Sequence, residues 1–145
     1  MNEDQASIEE IIARQFGSLN WTPNRSGNWN AFIGDFLPDA ALYPAVRPAK
    51  RQAPSEFMMR MKGLSESKLK SFREDVLGHQ IRVFGNIAIA AVGCQITEND
   101  TEINRTVEMM LFIKEDGAWR IVAQAWDSEG DSKRLPPDLL KRPGD

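Results

Sequence analysis

The sequence predicts an α+β domain in which helices cover one face of a mainly antiparallel sheet. Apolar residues recur at helical spacing up to about Leu64, and the period changes to two from about Phe72. Within that second half, Gly85-Asn86 and Asp116-Gly117 read as hairpin turns. A chain of 145 residues, 41% hydrophobic and 27% charged, is sized for one core. Residues 1–128 are read as a single domain and 129–145 as a proline-rich tail.

Ser7 and Glu10 have the spacing of a capping box, and Ile8, Ile11, Ile12, Phe16 and Leu19 form the apolar stripe of a first helix ending near Asn20. Trp29, Phe32, Ile33 and Phe36 repeat the pattern in a short second helix that stops before Pro38. Ala40 to Tyr43 reads as a short strand closed by Pro44. Between Pro44 and Pro54, prolines alternate with Arg47, Lys50 and Arg51 in a surface loop. Ser55 is placed to cap a third helix carrying Phe57, Met58, Met61 and Leu64.

In the first long strand, Leu77, His79, Ile81 and Val83 share one face and Gly78, Gln80 and Arg82 the other. Residues 87–96 are apolar on both faces, the mark of an interior strand. Thr97 to Thr101 turns the chain into a last hairpin, from Thr106 to Ile113 and from Ala118 to Asp127. After Ser128 only Leu135, Leu139 and Leu140 offer apolar surface, which leaves the tail, with its Pro136, Pro137 and Pro143, either partly disordered or packed on another subunit.

Composition excludes several functions. A net charge of −3 and a pI near 5.3 argue against nucleic-acid binding, which needs clustered cations. No apolar run is long enough for a membrane span, and the acidic start Met1-Asn2-Glu3-Asp4 is unlike a secretory signal, so a cytoplasmic protein is expected. One cysteine, Cys94, and one histidine, His79, make a metal site unexpected. With no glycine-rich phosphate loop, no cofactor is expected either.

Four segments carry a family resemblance: Gly27-Asn28-Trp29-Asn30-Ala31-Phe32, Phe36-Leu37-Pro38-Asp39-Ala40, Phe84-Gly85-Asn86-Ile87-Ala88 and Asp116-Gly117-Ala118-Trp119-Arg120-Ile121. In this order, across residues 5 to 127, the chain resembles the nuclear transport factor 2-like superfamily, particularly its SnoaL-like branch. The resemblance implies a cystatin-like cone, a curved sheet wrapped around three N-terminal helices with an apolar cavity inside. It also implies small-molecule binding, with isomerase, dehydratase or cyclase chemistry in some members and non-catalytic association in others. Aligned with the superfamily's ketosteroid isomerases, Tyr43 or Pro44 stands where the base would be. Leu111 stands about where a protonated aspartate would be, and Phe16 near the tyrosine donor. Steroid-type isomerisation is therefore not expected.

His79 and Asp127 are the candidate catalytic residues. The imidazole can act as acid or base near neutrality, and a carboxylate at the end of the last strand can orient it. The alternatives are a core histidine and a solvated loop aspartate. Candidate ligand contacts are Tyr43, Met58, Met61, Arg105 and Trp126, chosen as a polar-tipped ring, adaptable thioethers, a cation on an apolar strand and a strand-end aromatic. Core packing for the methionines, and strand-to-strand pairing of Arg105 with the acids of the Arg73-Glu74-Asp75 segment, stay open. The expected partners are a small hydrophobic or partly polar molecule and a second copy in a homodimer through the sheet face. The alternative function is a non-catalytic association domain.

Overall fold

The computed structural model describes residues 2–140. Helices α1 (Glu3–Ser18) and α2 (Trp29–Gly34) precede strand β1 (Phe36–Tyr43), and helix α3 (Pro54–Ser65) leads to strands β2 (Phe72–Phe84), β3 (Ile87–Glu98), β4 (Glu102–Glu115) and β5 (Ala118–Ser128). The sheet order is β1-β5-β4-β3-β2, with β2 to β5 an antiparallel meander and β1 parallel to β5 at one edge. This is the expected α+β architecture, helices on one face of an open sheet.

Three element starts differ from the sequence reading. The Asn2 side chain accepts the Asp4 N–H at 2.7 Å, so α1 begins there, and Ser7 lies inside the helix instead of capping it. In α3, Pro54 takes the first turn, where its missing N–H costs nothing, and Glu56 accepts the Ala53 N–H at 2.8 Å; Ser55 is not the cap. Phe36 opens β1 instead of closing α2, and Pro38 sits in that edge strand.

Helices and the inner sheet face close on one core, with Ile8, Ile12, Phe32, Val92, Phe112 and Ile121 almost fully buried. The turn residues Gly85, Asp116 and Gly117 all have positive φ, as tight hairpins demand. Two irregularities set which side chains point inward. In β2 the pairing with β3 skips Leu77, so Phe72 and Glu74 face the core before the bulge, and His79, Ile81 and Val83 after it. In β5 the pairing with β4 skips Val122, which moves the inward set from Trp119 and Ile121 to Gln124 and Trp126. An unbroken period of two would reverse both.

The tail follows neither sequence reading over its described part. Leu135 and Leu139 are buried on the outer face of the chain's own sheet, a one-turn 3-10 helix (Pro137–Leu139) lies against β2 and β3, and Gln80 Nε2 donates to the Asp138 carbonyl at 3.2 Å. Gly93 makes this approach possible, since a Cβ there would run into the Leu139 carbonyl oxygen. Pro143 lies outside the described residues. Among the described residues no helix is long and apolar enough to cross a membrane.

Candidate functional site

All three helices and the inner sheet face enclose a cavity of about 200 Å³. Its apolar walls include Phe16 from α1, Phe57 and Met61 from α3, and Trp126 from β5. The Phe57 and Trp126 rings meet edge to face at 5.3 Å between centroids. Arg60, Glu98 and Asn104 line the same space but reach solvent, which marks its mouth.

The inner wall is polar. Gln15 Nε2 donates to Gln124 Oε1 at 2.8 Å, and Gln124 Nε2 donates to Glu108 Oε1 at 2.8 Å. Thr106 Oγ1 stands 3.4 Å from Glu108 Oε2, a long hydrogen bond. Glu74 lies on the same face and receives the Cys94 thiol proton as a hydrogen bond. Gln15, Glu74, Glu108 and Gln124 are all buried and all line the cavity.

Burial of these carboxyls without a cation opposes their ionisation. Loss of hydration pushes Glu108 up to about 7, against the opposing pull of hydrogen bonds from Gln124 and Thr106. Glu74 is raised well above the usual carboxylate range, first by burial and then by the nearby Glu108 charge. Burial, followed by the Glu74 and Glu108 charges, also drives the Cys94 thiol far up, so Cys94 is a neutral hydrogen-bond donor and not a nucleophile. A buried group exchanging protons near neutrality in a cavity wall is equipped for general acid-base work.

The residues singled out from sequence separate into different regions. Met61 and Trp126 line the cavity, whereas Met58 packs against the core cluster without reaching the cavity wall. Tyr43 stands on the outer sheet face, beside Met109 and Leu111. Leu111 therefore points away from the position inferred for it by alignment with an inward acid. Arg105 donates to Gln95 Oε1 at 3.1 Å across β3 and β4, while Arg73 pairs with Asp75 at 3.0 Å within β2.

His79 and Asp127 are not brought together. His79 Nε2 lies 3.5 Å from Glu9 Oε2 on α1, and its buried Nδ1 has no partner among the described residues. Asp127 is exposed and held by Lys133 at 2.9 Å, which with the Ser128 N–H lowers its proton affinity. The β5 bulge causes this by turning Trp126 inward and Asp127 outward. The four polar residues of the inner wall were missed as a site, although one signal was available: Glu108 shares a strand face with Thr106, Met110 and Phe112, where a lone carboxylate is out of place. Among the described residues no cluster of His, Cys, Asp or Glu is arranged to hold a metal.

A family profile described as "Putative lumazine-binding" matches residues 21–127. The chain belongs to this family. The family span runs from before α2 almost to the end of β5, so it includes Glu74, Glu108 and Gln124 and leaves Gln15 on α1 outside. Among solved structures, an NTF2-like protein of unknown function from Pseudomonas putida is 13% identical, covers 96% of this chain and 92% of its own, and superposes with a TM-score of 0.71. A protein with a cystatin-like fold from Caulobacter vibrioides is 16% identical, with coverage of 90% and 93% and a TM-score of 0.70. A putative scytalone dehydratase from Novosphingobium aromaticivorans is 11% identical, with coverage of 99% and 95% and a TM-score of 0.71. At these identities the likeness is one of fold. This member of the putative lumazine-binding family thus has the nuclear transport factor 2-like architecture that its four sequence segments suggested. No curated protein matches it.

Proposed function

We propose that this protein binds a small, flat, partly polar molecule in the cavity and transfers a proton to or from it through Glu108. The carrying observation is Glu108 itself, a buried carboxyl whose proton affinity is raised to about 7 within a cavity of about 200 Å³. Membership of a family described as lumazine-binding supports the small-molecule part of the reading. The Phe57–Trp126 pair supplies an aromatic wall for a flat ring, and Gln124 orients the carboxyl. Glu74 and Glu108 take the acid-base role that the sequence suggested for His79 and Asp127.

Binding is read by tryptophan fluorescence during titration with lumazine. Saturable quenching that Trp126→Phe removes is the expected result; no saturable change in fluorescence or in calorimetric heat counts against the reading. Proton transfer is then read by deuterium incorporation into the bound ligand, and Glu108→Gln should abolish it.

A second reading concerns self-association. Ile89, Met109 and Leu111 are about half exposed on the outer face, next to Tyr43, in a contiguous apolar groove. We propose that this face joins two copies of the chain. The Met109→Lys, Leu111→Lys double variant is expected to run as a monomer in light scattering where the unmodified chain runs as a dimer. A monomeric unmodified chain at micromolar concentration would refute the reading.

A further inference from the structure

The direction of hydrogen bonding around the cavity carries information about its occupant. Each nitrogen, hydroxyl and thiol donor atom of the inner wall already has one acceptor: Gln15 Nε2 in Gln124, Gln124 Nε2 and Thr106 Oγ1 in Glu108, and the Cys94 thiol in Glu74. The acceptors are not used up. Among the described residues Gln15 Oε1 is buried with no partner, Glu108 Oε2 has only the long contact from Thr106, and the Glu74 carboxyl receives the weak thiol donor. Two carboxyls and an orphaned amide oxygen therefore share one side of a cavity whose other walls are apolar.

We infer that the ligand presents an N–C–N edge of the amidine or 2-aminoheterocycle class to Glu74 and Glu108, with a flat ring against Phe57 and Trp126. The inference rests on the small-molecule reading above. Two adjacent N–H groups match the two oxygens of one carboxylate, as in bidentate guanidinium pairs. A third N–H would satisfy Gln15. A ligand carboxylate would instead be repelled by the two acids once they ionise, and a hydrocarbon would leave the Gln15 amide oxygen unpaired and the spare lone pairs of both carboxyls unused. Arg60 does not alter this balance, because its guanidinium lies at the mouth, 5.7 Å over the Phe57 ring. Glu98 is the other charged side chain lining the cavity, also at the mouth, and adds to the negative potential.

A cationic edge would also favour ionisation of the acids it neutralises, with protons released to solvent. Its affinity should therefore rise with pH until both carboxyls are ionised.

The test uses three near-isosteric probes on the whole 145-residue chain: benzamidine, benzamide and benzoate, titrated by calorimetry at pH 5.5 and pH 8. Benzamidine is expected to bind at least about tenfold more tightly than benzamide at pH 8, with benzoate weakest and the benzamidine advantage smaller at pH 5.5. Glu74→Gln and Glu108→Gln should each reduce the advantage, and Gln15→Leu should weaken benzamidine while leaving benzoate unchanged. Tighter binding of benzamide or benzoate overturns the inference and leaves the small-molecule reading intact. So does a benzamidine preference that persists when both glutamates are replaced, since the probe would then sit elsewhere. If none of the three binds while lumazine does, the inference alone fails. If lumazine is also silent, both readings fail.

Discussion

Glu108→Gln is expected to remove one carboxyl's share of the fall in stability that the unmodified protein shows between about pH 5 and pH 8, with Glu74 supplying the rest. The side chain goes from an ordinary 4.5 to about 7 on folding, because burial in the cavity wall disfavours its charged form. Between those values the folded chain holds a proton that the unfolded chain has lost, so stability declines as pH rises. At roughly 1.36 kcal/mol per pH unit, the stabilisation present below pH 4.5 and lost by pH 7 to 8 is on the order of 3 kcal/mol. Glutamine keeps the hydrogen-bonding shape facing Gln124 and Thr106 but carries no charge. The variant should match the unmodified protein near pH 5 and exceed it at pH 8. Glu74, also raised, holds its own extra proton in the folded chain from the same lower limit, so the variant keeps a shallower fall across the range. Urea midpoints measured across the range check this, and parallel curves for the two proteins would contradict the buried-carboxyl account.

Gly93→Val is expected to cost about 1 to 3 kcal/mol and to detach the C-terminal segment from the sheet. Gly93 faces outward between the inward Val92 and Cys94, and the Leu139 carbonyl occupies the space a side chain would need. Leu135 also lies within contact distance of that position. The valine must either push the segment away, exposing Leu135 and Leu139, or bend β3. Because the clash is on the face opposite the cavity, ligand affinity should be unchanged while the urea midpoint falls and the segment gains protease sensitivity. A loss of affinity equal to the loss of stability would mean that the two faces of β3 are coupled.

The sequence was a good guide to elements and a partial one to the site. Helical stripes such as Ile8, Ile11, Ile12 and Phe16 are local patterns, legible because a helix repeats within a few residues. The turn residues Gly85 and Asp116-Gly117 were equally plain, since positive φ restricts residue choice. The capping of α1 was misread because Asn2 competes with Ser7 for the same task, and only the extent of packing shows which one prevails.

By itself, then, the sequence determined the order of elements, the meander, the interior placement of β3, the apolar stripe that carries Met61 and the strand end that carries Trp126. Tertiary structure decided which face each polar residue takes. A period of two carries side-chain direction along a strand only while pairing is unbroken, and the skipped Leu77 and Val122 each reverse it. Those bulges arise from how neighbouring strands align and leave no local mark in composition. They bring Glu74 and Gln124 to the same wall as Glu108, and they send Asp127 to solvent.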